Sequence, residues 1–318
     1  MTQPGSRTVS DVGEFGVVTA LTSRLGMGND VLVGPGDDAA LVAVTTNAVL
    51  VSTDMLVEGR HFRRDWSSAT DIGHKAAAQS FADITAMGGR PTAMVAALGA
   101  PGDLHLSWAL ELTDGLAAES AAAGASVVGG DLTASDAVVL AVTAMGVCDA
   151  GPPVRRTTAR VGDIVAVCGR LGWAAAGLAV LSRGFRSPRA VVDAHRRPSP
   201  PYSAGPEAVR LGATAMVDVS DGLLADLGHI AGGSGVAIDV RSGALSIPEP
   251  LAAVGAALGA DPLTFVLTGG DDHALAATFA PDVPLPEHWR VIGSVAEGSG
   301  VTVDAQTYAG APGHEHFR

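Results

Sequence analysis

The feature that most constrains this chain is a recurring order of signals. A short Val- and Ala-rich run gives way to a turn of Gly, Ser, Thr and Asp, and an Ala- or Leu-rich helical stretch lies close by. TAMVDVSDGLLADLGHIAGGSG (214–235) shows the whole pattern at once: strand, acidic turn, helix and a Gly stop. Apolar runs of this kind, bounded by turn residues, read as buried strands, and helices are marked by caps and terminal glycines. AVLVSTDM (48–55) reads as a strand, TDIGHKAAAQSFADITAMGG (70–89) as a helix with a Thr-Asp start, and TAMVAALGAP as a strand. LSWALELTDGLAAESAAAGA is a second helix, followed by the strands SVVGGD and AVVLAVTAMGVC. Such interleaving predicts a layered α/β (α+β) fold.

At 318 residues the chain is long for one domain. GPPVRR (151–156) is the best linker, so an N-terminal domain over 1–148 and a C-terminal α/β domain over 149–318 are expected. Beyond the linker, DIVAVCG (163–169) is a strand and WAAAGLAVLSRG a helix. HRRPSPPYSAGPEAV is a Pro-rich connection, and AIDVRSG, FVLTGGDDHALAATF and WRVIGSVAEG carry short strands between helices. With 47% hydrophobic but only 4% aromatic residues, the core must be aliphatic.

The charge pattern narrows the partners. The net charge is −13, Lys75 is the lone lysine, and no basic cluster is longer than Arg63-Arg64 or Arg196-Arg197. Nucleic acid and anionic membranes are therefore not expected as partners. The N-terminus has no apolar signal region and AVVLAVTAMGV is too short to span a bilayer, so a soluble, cytoplasmic protein is expected. Cys148 and Cys168 have no C-x-x-C spacing, which indicates neither a zinc site nor a disulfide framework.

The acids are 24 Asp against 9 Glu, and several end apolar runs beside Gly, Ser or Thr: GPGDDA, VSTDM, SFADI, VVGGDLT, VDVSDGLL and TGGDDH. Each has a plain reading as a turn or a helix cap; Asp221-Gly222, for instance, suits an N-cap. As a set they suggest more, because strand ends are where open α/β sheets place ligands. Adjacent carboxylates such as Asp37 and Asp38 repel by roughly 3 kcal/mol at a mid-range dielectric, which hydration, a helix N-terminus or a bound cation can offset. Magnesium takes carboxylate and hydroxyl oxygens and leaves positions for phosphate. Ser52, Thr53 and Asp54 offer such oxygens, and Asp131 follows two glycines that let a ligand reach the backbone. Several Mg²⁺ ions and a phosphorylated ligand are the chemical expectation. Lys75 could face phosphate or simply a solvated helix face. A P-loop, the protein-kinase motifs, G-x-S-x-G and H-E-x-x-H are all missing from the sequence.

Taken in order, GDDAAL, VSTDMLVEGRHF, HKAAAQSFADITAMGG, GGDLT, Arg156 with Val-Gly-Asp163, HRRPSP, VDVSDGLLADLGHI and TGGDDH resemble the thiamine-monophosphate kinase family, within the aminoimidazole ribonucleotide synthetase superfamily. The likeness runs from GEFG (13–16) to HEHF (314–317). It implies Mg²⁺-dependent transfer of the ATP γ-phosphoryl group to thiamine monophosphate, giving thiamine diphosphate and ADP by direct in-line transfer without a protein nucleophile. It implies metal ligation by Asp38, Ser52, Thr53, Asp54, Asp83, Asp131, Asp218 and Asp221. ATP contacts fall to Gly130, Asp131, Arg156 and Ser220, with the nucleotide between domains, and substrate contacts to His61, Asp271 and His314. A homodimer joined through the N-terminal sheets is also implied. Sister enzymes that make selenophosphate or mature hydrogenases want reactive cysteines near one terminus, which this chain lacks. A non-catalytic protein holding structural cations is the alternative from a different class. Two places depart from the pattern: Gly269-Gly270-Asp271-Asp272-His273 stands where the family typically has G-G-E-D-Y, and Gly313-His314-Glu315-His316-Phe317 where it has G-Y-D-H-F.

Overall fold

The computed structural model describes residues 7–35 and 39–315, so Asp37 and Asp38 lie outside the described residues. The chain forms two compact units, one of Met1–Ile84 with Arg90–Val147 and one of Thr85–Gly89 with Cys148–Arg318.

The first unit opens with helices α1 (Val9–Val12) and α2 (Glu14–Thr22) and a small antiparallel pair, β1 (Val31–Val33) and β2 (Leu41–Val42). Then come β3 (Leu50–Val57), α3 (Ala69–Ala86), β4 (Arg90–Ala100), α4 (Leu106–Ala122), β5 (Ser126–Ala134) and β6 (Val139–Val147). Their sheet runs β3-β6-β4-β5, with β6 antiparallel to both neighbours and β5 parallel to β4. A parallel pair needs a crossover, which α4 supplies.

Helix α3 starts with a reciprocal cap. Asp71 N–H donates to Ser68 Oγ at 3.2 Å, and Ser68 N–H donates to the Asp71 carboxylate at 3.0 Å. Ile72, Ala76, Phe81 and Ile84 recur at helical spacing and are buried, each large one contributing about 1.5–3 kcal/mol. Small residues decide how closely α3 meets α4. A Cβ on Gly73 would stand 2.1 Å from the Leu112 carbonyl oxygen, and one on Gly115 would stand 2.1 Å from that of Thr70. These glycines lower helix propensity but permit backbone contact.

The second unit holds β7 (Ile164–Cys168), α5 (Trp173–Leu181), α6 (Arg189–Arg196), α7 (Ala204–Arg210), β8 (Ala215–Val219), α8 (Leu223–Ser234), β9 (Ala237–Val240), α9 (Glu249–Leu258), α10 (Pro262–Thr268), β10 (Ala274–Phe279), β11 (Arg290–Ala296), β12 (Gly300–Val303) and β13 (Gln306–Thr307). Its seven strands run β13-β12-β9-β11-β7-β10-β8. Alternate residues feed two cores. Val165, Val167, Val217, Val219, Ala274 and Ala276 pack with Leu223, Leu227 and Ile230 of α8. Ala166, Cys168, Met216, Leu275 and Ala277 pack with Ala204 and Ala208 of α7 and with the Phe279–Trp289 pair. Burial on both faces explains why these strands read as unbroken apolar runs.

One element differs from expectation. Phe265-Val266-Leu267 lies in a stretch read as strand but closes helix α10, which Asp261 caps by accepting from Leu263 N–H at 2.9 Å with Pro262 in the first turn. A three-residue apolar run fits either period, and the Asp-Pro start decides it. Among the described residues no single helix is long and apolar enough to cross a membrane.

Candidate active site

In the first unit, strand alternation sends Ser52 and Asp54 to one face of β3, and α3 brings two residues to meet them. Ser52 Oγ donates to the Asp83 carboxylate. Ser80 Oγ, fully buried, donates to Asp54 Oδ2 at 2.8 Å. Helix α3 thus meets β3 through two hydroxyl–carboxylate pairs. Thr53 is turned to the other face, where its hydroxyl meets Thr143 Oγ1 and the Val142 carbonyl, each at 3.1 Å. Its side chain therefore does not join Ser52 and Asp54.

Gly130 and Asp131 sit on β5, opposite Ala96 and Ala97 of β4. A Cβ at 130 would lie 2.0 Å from the Ala96 carbonyl oxygen, so only glycine fits. Strands β4 and β6 separate β5 from β3, so Asp131 is about 14 Å from Asp54 along the sheet at ordinary strand spacing. His61 follows β3, and its Nδ1 accepts from Val57 N–H at 3.0 Å, which leaves the proton of a neutral ring on Nε2. Lys75 is 4% exposed, so the solvated-face reading of that helix position is corrected.

In the second unit, the end of β8 carries Asp218, Ser220 and Asp221. Asp221 does not cap α8. The N-cap is Gly222, and the N–H groups of Asp221 and Gly222 both donate to Asp226 Oδ2 at 3.0 Å, so capping does not occupy the Asp221 carboxylate. Burial, and then the charge of Asp218, push Asp226 up to about 7. Carboxylate oxygens of Asp221 and Asp226 and a ring nitrogen of His229 lie within 4.8 Å of one another.

The 269–273 loop is laced to this strand end. Asp271 N–H donates to the Ser220 carbonyl at 2.8 Å and His273 N–H to that of Val219 at 3.0 Å. Asp271 and His273 take left-handed backbone, φ 66° and 53°. A Cβ on Gly270 would lie 2.2 Å from the Ser220 carbonyl oxygen. Asp272, between them, turns inward and accepts from Ala174 N–H at the start of α5 at 3.0 Å; its Oδ2 is buried without a hydrogen-bond partner. Burial raises it to about 7, against the Ala174 bond and the Arg170 charge. His273 Nδ1 is 3.0 Å from Asp218 Oδ2, both side chains buried.

His314 is exposed but fixed through its N–H to the Asp221 carbonyl at 2.9 Å. Arg156 is exposed in the loop after β6, and its carbonyl accepts from Ser234 Oγ at 3.3 Å. Ser80 and Asp226 are site residues that sequence reasoning passed over, and it reads Asp272 and His273 only as part of the departure from G-G-E-D-Y. All four stand inside segments already singled out, but as partners of other side chains (Ser80, His273) or of backbone amides (Asp226, Asp272) they carry no motif of their own.

Residues 36–148 match the family described as AIR synthase related protein, N-terminal domain. Over 314 residues the chain is 46% identical to the thiamine-monophosphate kinase of Mycobacterium tuberculosis, covering 98% of this chain and 94% of that protein. The chain belongs to the thiamine-monophosphate kinase family. It is an enzyme of that family along nearly its whole length. The thiamine-monophosphate kinase of Stenotrophomonas maltophilia K279a superposes with a TM-score of 0.80 at 36% identity, covering 91% of this chain and 95% of that one. AaThiL complexed with AMPPCP and TMP gives 0.81 at 31% identity, covering 98% and 99%.

Proposed function

We propose that this enzyme transfers the γ-phosphoryl group of ATP to the phosphate of thiamine monophosphate, with magnesium, in one in-line step that yields thiamine diphosphate and ADP. The observation that carries the reading is the presence of two hydroxyl–carboxylate pairs, Ser52–Asp83 and Ser80–Asp54, in a chain that belongs to this family. The ligands of the relative AaThiL, AMPPCP and TMP, support the same pair of substrates.

The residues fit magnesium. Hard divalent cations take carboxylate and hydroxyl oxygens, and these are the donors that β3 and α3 gather. Asp38, Ser52, Asp54, Asp83, Asp131, Asp218 and Asp221 would be ligands, and Thr53, its hydroxyl engaged across the sheet, would ligate through its main-chain oxygen. Held by these residues, magnesium would supply charge neutralisation for phosphate oxygens during the transfer. Phosphoryl transfer asks for positioning and charge more than for a protein nucleophile. Gly130, exposed on β5, would face a phosphate through its main chain, Ser220 offers a hydroxyl, and the exposed Arg156 guanidinium can fork two hydrogen bonds to phosphate oxygens. His61, Asp271 and His314 would contact thiamine monophosphate.

A homodimer through the first unit's sheet is supported by the outer face of β3, where Val51 and Met55 are 60% and 55% exposed. A cytoplasmic setting suits substrates of this kind. The test is incubation of the protein with ATP and thiamine monophosphate, with Mg²⁺ or with a chelator, followed by chromatography of both products. Thiamine diphosphate and ADP in equal amounts, only with Mg²⁺, support the reading; ADP without thiamine diphosphate overturns the acceptor.

A further inference from the structure

We infer that His273 is a positioning residue for Asp218, setting the rotamer in which that carboxylate can hold a metal ion. The inference rests on the reading above that Asp218 is a ligand. Three observations carry it. His273 Nδ1 lies 3.0 Å from Asp218 Oδ2, so a ring N–H donates to one carboxylate oxygen and the other oxygen is left to a further partner. Both groups are buried, at 4% and 6% exposure, where water competes little for the bond. The ring is held from behind by its backbone: His273 N–H donates to the Val219 carbonyl at 3.0 Å, and the residue keeps φ 53°. Two residues on, Leu275 pairs with Asp218 in the β10–β8 ladder. Backbone and side-chain bonds thus tie residues 273–275 to the strand that carries Asp218.

This geometry gives the chain's departure from G-G-E-D-Y a physical role. Histidine is among the residues that tolerate left-handed backbone better than most. It reaches the carboxylate with a nitrogen donor close to the main chain, where a phenol would place its hydroxyl several bonds farther out. Partners that orient a ligating carboxylate typically change metal affinity about 10–100-fold when removed.

The test measures Mn²⁺ binding to the full-length protein, followed by loss of the free-ion EPR signal, with steady-state kinetics alongside. His273→Phe should weaken Mn²⁺ binding about tenfold or more, with kcat falling at fixed Mg²⁺ and KM for thiamine monophosphate close to wild type. His273→Asn places an amide N–H near the Nδ1 position and accepts positive φ, so it should restore most of the affinity. His273→Gln, which mimics Nε2 instead, should not. If His273→Phe fails to fold, the Asn and Gln pair carries the same comparison. Asp218→Asn is the reference. If it loses Mn²⁺ affinity while His273→Phe keeps the wild-type value, the positioning role is wrong and the ligand reading stands. If Asp218→Asn itself binds Mn²⁺ as wild type does, the ligand reading fails, and the role of His273 fails with it.

Discussion

Asp272 is placed so that its protonation should be visible in the stability of the whole unit. Its Oδ1 accepts from Ala174 N–H, its Oδ2 is buried without a partner, and burial lifts it from the ordinary 3.8 to about 7. The sign follows from proton counting. Below about pH 4 the carboxyl is protonated in the folded and unfolded chain alike and contributes nothing to the pH dependence. Between about pH 4 and pH 7 the unfolded chain loses the proton while the folded one keeps it, so unfolding becomes easier as pH rises. At 1.36 kcal/mol per pH unit, the gap between 3.8 and about 7 amounts to about 4 kcal/mol, lost in full above pH 7. Asp272→Asn keeps an acceptor for Ala174 N–H and cannot ionise. Urea unfolding of wild type and variant from pH 4.5 to pH 8 isolates this carboxyl, because every other group is shared. The variant's relative stability should climb through that window and end higher at pH 8, by about 2–4 kcal/mol. Parallel curves would refute the reasoning, as would a relative loss for the variant at pH 8.

Ser80→Ala removes the hydroxyl that holds Asp54 and should cut kcat about tenfold with little change in melting temperature; an unchanged kcat would show that Asp54 needs no such support. Gly73→Ala puts a methyl 2.1 Å from the Leu112 carbonyl oxygen and should cost about 1–3 kcal/mol in urea unfolding. Gly228→Ala in α8, where a Cβ meets nothing within 4 Å, should instead stabilise by about 0.5–1 kcal/mol. Opposite signs are expected from the same exchange, and equal effects would discredit the packing argument.

The sequence made the architecture legible because its strands are buried on both faces or bounded by glycine, and its helices have caps that can be read. It failed where a short apolar run fits two periods, as in the Phe265–Leu267 segment. The acidic positions were visible, but their roles were not. Asp221 looked like an N-cap, yet Asp226, four residues into the helix, takes that work by accepting from two amides. Asp271 and Asp272 are neighbours in sequence but differ in environment: one is half-buried beside the Ser220 turn, the other faces the α5 terminus in the interior. Which of two adjacent acids points inward depends on a left-handed residue at 271, and nothing in the local spelling specifies it. Likewise the Asp54–Ser80 and Asp218–His273 pairs join residues 26 and 55 positions apart, a distance only the fold closes.

The most direct test of the central claim is a single turnover with [γ-³²P]ATP and thiamine monophosphate, quenched at short times and resolved into nucleotide, thiamine diphosphate and protein. With Mg²⁺ the label should pass from ATP to thiamine diphosphate with no labelled protein at any time, and without Mg²⁺ it should stay on ATP. Label on the protein before product, or thiamine diphosphate formed in the presence of chelator, would contradict it.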